Sequence, residues 1–332
     1  MGATLEHDVV DAAPSVEWLL GCDEPAIVYL TRRDVLGEDV PYDAEAILRG
    51  RLVRGLLAGQ RKDGGFGVHA YGKWGGAHWR LVSLVELAIP AGEPRAVRAA
   101  ETVLDWLTGD GHRRRVPTIE GLVRRCGSQE GNALAVCCRL GLAADPRVRL
   151  LAESLVEWQW PDGGWNCDKH ATAHRSSFNE SLAPMWGLHE YAEATGDEAA
   201  RRAAARTADL LLDHRVFRSL QTGEAIRPEW LLPHWPPYWH YDAPHALLIL
   251  TRMGLAGDGR ASDALDELVG QRRADGTWRS GRTWWRRPGS PGSNVEAVDW
   301  GPTVPHQLVT LNALRILAAR SAVSQAKAGS AR

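Results

Sequence analysis

The stretch QWPDGGWNCDKH (159–170) ends by setting a thiol, a carboxylate, an amine and an imidazole side by side, as Cys167, Asp168, Lys169 and His170. A thiol attacks or binds metal as its thiolate, and each of the other groups can carry a proton. Cys126 sits in a second polar stretch, RRCGSQEGN, and HYDAPH brings His240, Tyr241, Asp242 and His245 together. Three chemistries use these residue types. A protonated carboxylic acid among aromatic rings can start carbocation chemistry, because ring faces stabilise positive charge; Asp242 is the candidate acid, flanked by His240. A zinc ion can hold a thiolate, with Cys167, Asp168, His174, His240 and Asp242 as candidate ligands of suitable type. No C-x-x-C or H-E-x-x-H spacing accompanies them. Without metal, Cys126 and Cys167 can act as an acid–base or nucleophilic pair, with Tyr241 and His240 assisting. Asp242 also reads as a helix N-cap, where unpaired N–H groups favour the carboxylate. That environment suits a ligand or a base and opposes an acid, so both readings stand.

The composition supplies an apolar lining: the chain has 15 Trp against 6 Tyr and 3 Phe. EWLLPHWPPYWHYDAPHALL packs five aromatic rings into twelve residues, and Pro233, Pro236 and Pro237 exclude helix there. Tyr71, Trp74, His78, Trp79, Asn132, Trp235, Tyr238, Trp239, His245, Trp300 and His306 are the expected lining of a small-molecule cavity. Lys169, Arg286 and Arg287 are its expected anion-binding groups, should the substrate carry a diphosphate. Solvated loop cations are the commoner role of such residues.

Internal repeats decide which elements position these groups. Gln60-Arg-Lys-Asp63-Gly-Gly-Phe66 matches Gln159-Trp-Pro-Asp162-Gly-Gly-Trp165, and Gln271-Arg-Arg-Ala-Asp275-Gly-Thr-Trp278 is a third copy, longer by one residue. Helix endings at Leu107 and His214 fill the gaps, giving five units of helix, Gly-rich or polar turn, and second helix. The second helices read as 78–88, 130–142, 178–194, 243–255 and 304–320, apolar at helical spacing. Ser177 with Glu180 reads as a capping box, and Asp242 or Thr303 as N-caps. Ser15 to about Leu36 reads as an early helix that closes a ring with the last one. Strand signals are nearly absent. The expected fold is all-α, a single α/α toroid over residues 14–321, with frayed ends at 1–13 and 322–332.

Gln-x-x-x-Gly-x-Trp/Phe at the end of such a helix resembles the QW motif of squalene–hopene and oxidosqualene cyclases. The Asp-Gly-Gly-Phe/Trp form is similar to turns of protein prenyltransferase β subunits. The resemblance extends as repeats over about residues 45–320, and it implies an α/α toroid in which every such turn lies at one end. It implies an isoprenoid or similarly apolar substrate. The chain departs from the cyclases in lacking Asp-x-Asp-Asp, and from the prenyltransferases in having Cys167-Asp168 in place of Asp-x-Cys. Linalool dehydratase-isomerases are similar in using a toroid with cysteine-rich sites. Asp-Gly-Gly itself is read as structural: the glycines permit positive φ, and the ring stacks on the Gln amide.

A formal net charge of −2 with 24% charged residues offers no case for a nucleic-acid partner. No run approaches the roughly 18 apolar residues of a membrane helix. Five cysteines without dense spacing, and an acidic start without a basic-then-apolar leader, read as a cytoplasmic protein with reduced thiols. The leading expectation is an enzyme that cyclises or isomerises an isoprenoid by protonation, with a cofactor left as none or unknown and zinc as the candidate. Zinc-dependent prenyl transfer, metal-free hydration, dehydration or isomerisation, and non-catalytic lipid or peptide binding are the alternatives. Oligomeric state is left open.

Overall fold

The computed structural model describes residues 12–330 except residue 115. It is all-α, with fourteen α-helices and one two-stranded ribbon among the described residues. In chain order they are α1 (Ala13–Leu20), α2 (Pro25–Leu30), α3 (Ala44–Arg49), α4 (Arg51–Leu57), α5 (Ala77–Glu86), α6 (Pro94–Thr108) and α7 (Asp110–Arg113). There follow α8 (Gly127–Arg139), α9 (Pro146–Trp158), α10 (Phe178–Thr195), α11 (Glu198–Asp213), α12 (Ala243–Arg252), α13 (Ser262–Gly270) and α14 (Gln307–Ser330). The ribbon pairs β1 (Thr118–Ile119) with β2 (Leu122–Val123), antiparallel, just before α8.

The second helices of the five units are α5, α8, α10, α12 and α14, each beginning within three residues of its expected start. Three local readings change. The early helix is broken into α1, α2 and a π-helical turn at Thr31–Val35, because Gly21 caps α1 and Pro25 restarts the chain. Thr303 does not cap α14, which begins at Gln307, and α14 runs on to Ser330 without fraying at 322. The frayed stretch read at 1–13 lies almost wholly outside the described residues.

The repeated turns work through glycine and through the Gln amide, though not by ring stacking. Gly64 and Gly163 adopt φ of +87° and +99°, and a Cβ at either would lie 2.2 or 2.7 Å from the carbonyl oxygen of Arg98 or Arg206. Only glycine fits that approach. Gln60 Nε2 donates to Gly64 O (3.0 Å) and Arg95 O (2.7 Å), and Gln159 Nε2 to Gly163 O and Ala203 O (both 2.8 Å). Each amide therefore ties its own turn to the next unit's first helix. The rings go inward instead: Trp165 Nε1 donates to Leu155 O (3.0 Å) and Trp278 Nε1 to Leu268 O (2.8 Å).

Neighbouring second helices pack on one another, α5 on α8, α8 on α10, and α12 on α14, while α14 also returns to α1, α2 and the π-helical turn. The α8–α10 contact is very close: a Cβ on Gly131 would lie 2.2 Å from Pro184 N, and one on Gly187 2.4 Å from Gly131 O. At the end away from the Gly-rich turns, all five second helices contribute to one charge network. Arg252 holds Glu86 with two bonds (2.9 and 2.6 Å), Arg139 bridges Glu86 (3.6 Å) to Glu190 (2.8 Å), and Arg315 binds Asp34 (2.8 Å). Burial opposes charge on Glu86, but the Arg252 and Arg139 guanidiniums outweigh it and hold the carboxyl well below the usual range.

Candidate functional site

Two polar segments run side by side at the turn end. Arg125 N donates to Asn166 O (3.1 Å), and Arg124 and Asn166 form a parallel bridge. Each segment's next residue is a cysteine. Gly127 then lets the start of α8 lie against α10: a Cβ there would meet Trp165 Cγ at 3.0 Å and Glu180 O at 3.1 Å. The result is a cluster in which Cys126 Sγ, Cys167 Sγ and a Glu180 carboxylate oxygen all lie within 4.8 Å of one another. The pairing of Cys126 with Cys167 follows the sequence reading. Glu180 departs from the capping box: Ser177 makes no cap bond, and Glu180 Oε2 instead accepts from Ser128 N (3.1 Å) and Oγ (2.7 Å) on α8. Its Oε1 faces the Cys167 thiol at 3.7 Å.

Burial raises the Glu180 carboxyl above its ordinary range, against the lowering effect of the Ser128 bonds. The two thiols are neighbours, and their interaction pushes Cys126 up and Cys167 down. The Tyr71 phenol is raised by burial and lies within electrostatic reach of Glu180, Cys126 and Cys167. Beside this cluster, Glu130 Oε1 takes Arg125 Nη2 (2.6 Å) and His112 Nε2 (2.9 Å), while its Oε2 is buried without a partner. His112 carries no local motif and was not read from the sequence; only the fold brings α7 over α8.

Tyr71 joins the cluster to the aromatic residues. Its ring packs on Trp79 (5.0 Å) and Trp106 (5.2 Å), and Trp79 on Trp74 (5.0 Å). Trp74 stacks flat on Tyr238 at 3.6 Å, and Trp74 Nε1 donates to Trp284 O (2.8 Å). A second stack runs Trp239–His240–Trp284, with centroids 4.1 and 3.7 Å apart, closed by Lys73 (4.9 Å) over Trp239 and Arg282 (4.0 Å) over Trp284. Turns 1, 4 and 5 thus interlock. Trp74, Trp79 and Tyr238 are buried in each other, whereas Tyr71, Trp239 and Trp284 remain half-buried. His78, Asn132, Trp235, Trp300 and His306 are buried, and His245 is half-buried. Burial lowers His78 and His240 to about 3, and His245 and His306 to about 4, so all four are neutral at pH 7.

Asp242 is placed differently from a mouth acid. Its Oδ1 caps α12 by accepting His245 N (2.6 Å), while Oδ2 accepts His234 N (3.2 Å) and pairs with His234 Nδ1. A void of about 20 Å³ adjoins it, lined by His234, Asp242, His245 and Asn312 among others, room for one water. His240 does not sit against this carboxylate, and Tyr241 spends its hydroxyl on Val216 O at the foot of Trp230. Asp242→Ala is therefore expected to cost about 0.5–2 kcal/mol in urea unfolding, as for a lost N-cap. Asp242→Asn should cost less and leave turnover intact; an inactive, stably folded Asn variant would restore Asp242 to the chemistry.

The other metal candidates do not gather with Cys167. Asp168 Oδ1 accepts His170 N (2.9 Å) and His174 Nδ1 meets Thr172 O (2.6 Å) in an exposed loop, and His240 and Asp242 lie in the arrangements above. Among the described residues, Cys126, Cys167 and Glu180 form the ligand group that fits a metal ion. Lys169, Arg286 and Arg287 are exposed on different turns; Arg286 Nη1 donates to Pro291 O (2.8 Å), and Arg287 lies 3.5 Å from Asp299, beside a cavity of about 430 Å³.

No family model and no curated protein matches this chain. It is similar to a crystal structure of a protein from Actinoplanes, at 20% identity and a TM-score of 0.43, over 94% of this chain and 89% of that one. It is also similar to the native conformation of E. coli alpha-2-macroglobulin, at 18% identity and a TM-score of 0.38, over 94% of this chain and 17% of that one. Neither likeness carries an argument about this chain. Its helices offer no segment long and apolar enough to cross a membrane among the described residues.

Proposed function

We infer that the protein is an enzyme that isomerises, cyclises or dehydrates an apolar small molecule of isoprenoid type by proton transfer, in an α/α toroid whose turn end holds the site. The observation that carries this is Glu180. A carboxyl that is to protonate carbon must be neutral near pH 7 and lie beside groups that tolerate a cation. Glu180 is buried, its carboxyl is raised by that burial, and it adjoins the aromatic residues through Tyr71. In this reading Glu180 Oε1 delivers a proton to an alkene carbon or a departing hydroxyl. The half-buried ring of Tyr71, beside the cluster, stabilises the positive charge. Cys167, the more acidic thiol of the pair, takes a proton from the neighbouring carbon as its thiolate. The role first given to Asp242 passes to Glu180, because Asp242 is committed to a helix cap and to His234.

Incubation with a panel of isoprenoid alkenes and alcohols in D2O tests the reading. Protonation of carbon leaves one solvent deuterium in the product, detectable by mass spectrometry. Conversion without deuterium, or binding of the panel with no conversion, would remove proton transfer to carbon as the function.

A further inference from the structure

We propose that Cys126, Cys167 and Glu180 form a binding site for a thiophilic divalent cation, zinc above all, whose occupancy blocks the chemistry at the same site. The site itself stands on geometry; only the blocking rests on the proton-transfer reading. Two sulfurs and one carboxylate oxygen all lie within 4.8 Å of one another, so a closure of at most about 1 Å brings them onto one face of a zinc tetrahedron with its roughly 2.3 Å Zn–S bonds. The Cys167–Glu180 edge is 3.7 Å, close to the separation of a sulfur and an oxygen bound to one zinc ion. The ligands come from three fixed places. Cys126 is the residue before α8, Cys167 lies beside the Arg124–Asn166 bridge, and Glu180 is in the first turn of α10.

The carboxylate is also held in orientation. Glu180 Oε2 takes two bonds from Ser128, so Oε1 is left pointing at the sulfurs, its one hydrogen-bond partner being the weak Cys167 thiol. Ligand carboxylates are commonly steadied in this way by a second residue. Three groups that become anions on losing protons converge here, and among the described residues no guanidinium or ammonium is bonded directly to them: Arg125 is spent on Glu130, and Lys73 lies over Trp74 and Trp239. A divalent cation displaces two thiol protons, and the carboxyl proton where present, and supplies the missing charge. Three protein ligands leave a fourth position for water. Zinc would convert Glu180 from a proton donor into a ligand, so metal binding and acid chemistry exclude each other.

The test uses reduced full-length protein dialysed free of metal and titrated with cobalt(II). The expected result is one cobalt per chain, with an intense sulfur-to-metal absorption band in the near ultraviolet that equimolar zinc abolishes. Cys126→Ser and Cys167→Ser should each lose most of that band, and Cys22→Ser should keep it. In parallel, zinc should protect Cys126 and Cys167 of the unsubstituted protein from alkylation, read by peptide mass spectrometry, so the result does not depend on a variant folding. Unprotected thiols with no cobalt band, or an unchanged band in the Cys126→Ser/Cys167→Ser protein, would overturn the site. If metal binds there and does not inhibit turnover on a panel substrate, the blocking fails while the site survives; if metal binds and the D2O assay shows no conversion, the proton-transfer reading alone fails.

Discussion

Glu180→Gln is expected to lower turnover about 10²- to 10⁴-fold, the usual contribution of a positioned general acid, while the fold is kept. The substitution is nearly isosteric. A Gln oxygen still accepts from Ser128 N and Oγ, the two bonds that orient the native carboxylate. The pH dependence gives an independent check. Because the folded Glu180 carboxyl is raised above its unfolded value, its protonated form persists to higher pH than an exposed glutamate would allow. Activity that needs this acid is therefore high on the acid side and falls as pH rises through the raised value. Stability runs the same way: the neutral group's contribution is present below the ordinary glutamate range and is lost as pH rises through the folded value. Glu180→Gln should flatten that loss. A variant with full turnover, or a native profile that climbs with pH over this range, would take the acid role from Glu180.

What could be read from the residues alone followed from how local each cause was. The repeated turns were legible because Asp-Gly-Gly is a local turn signal: Gly163 takes positive φ in its own turn, while the Arg206 carbonyl that also demands glycine lies 43 residues on, in α11. The five second helices were legible from apolar spacing, and Asp242 as a cap from its place just before one of them. Glu180 reads in the sequence as part of a capping box, since Ser-x-x-Glu looks the same whether its Glu turns back to its own helix or away. It turns away to Ser128, 52 residues earlier, and nothing near Glu180 signals that partner. The pairing of Cys126 with Cys167 was nameable from neighbouring turns, but the bridge that aligns them, Arg124 to Asn166, has no sequence pattern. That Trp74 and Tyr238 stack on each other, and so are not free to line a cavity, depends on turns 1 and 4 meeting across 164 residues.

Trp165→Ala should destabilise the protein by about 3–5 kcal/mol in denaturant unfolding, the cost of deleting a large buried ring. Trp165 is 1% exposed and serves three structures at once. Its Nε1 satisfies Leu155 O near the end of α9, its backbone N–H takes Ser181 Oγ on α10 (3.0 Å), and its ring backs Gly127 at the start of α8. Truncation opens a void among three helices and leaves a buried carbonyl without its donor, and both effects add to the loss of apolar burial. Trp278 provides the internal replicate. It is fully buried, its Nε1 donates to Leu268 O and its backbone N–H donates to Thr310 Oγ1 (3.0 Å), the same two bonds two units later. Trp278→Ala should therefore cost a similar amount although it lies away from the cysteines. Trp239→Ala, at a half-buried ring that stacks on His240, should cost far less. A Trp165→Ala cost no larger than that of Trp239→Ala would show that the turn rings do not hold the units together. Equal large losses at 165 and 278, with cobalt binding kept at 278 and weakened at 165, would separate the shared structural duty of these rings from the one that also backs the cysteine cluster.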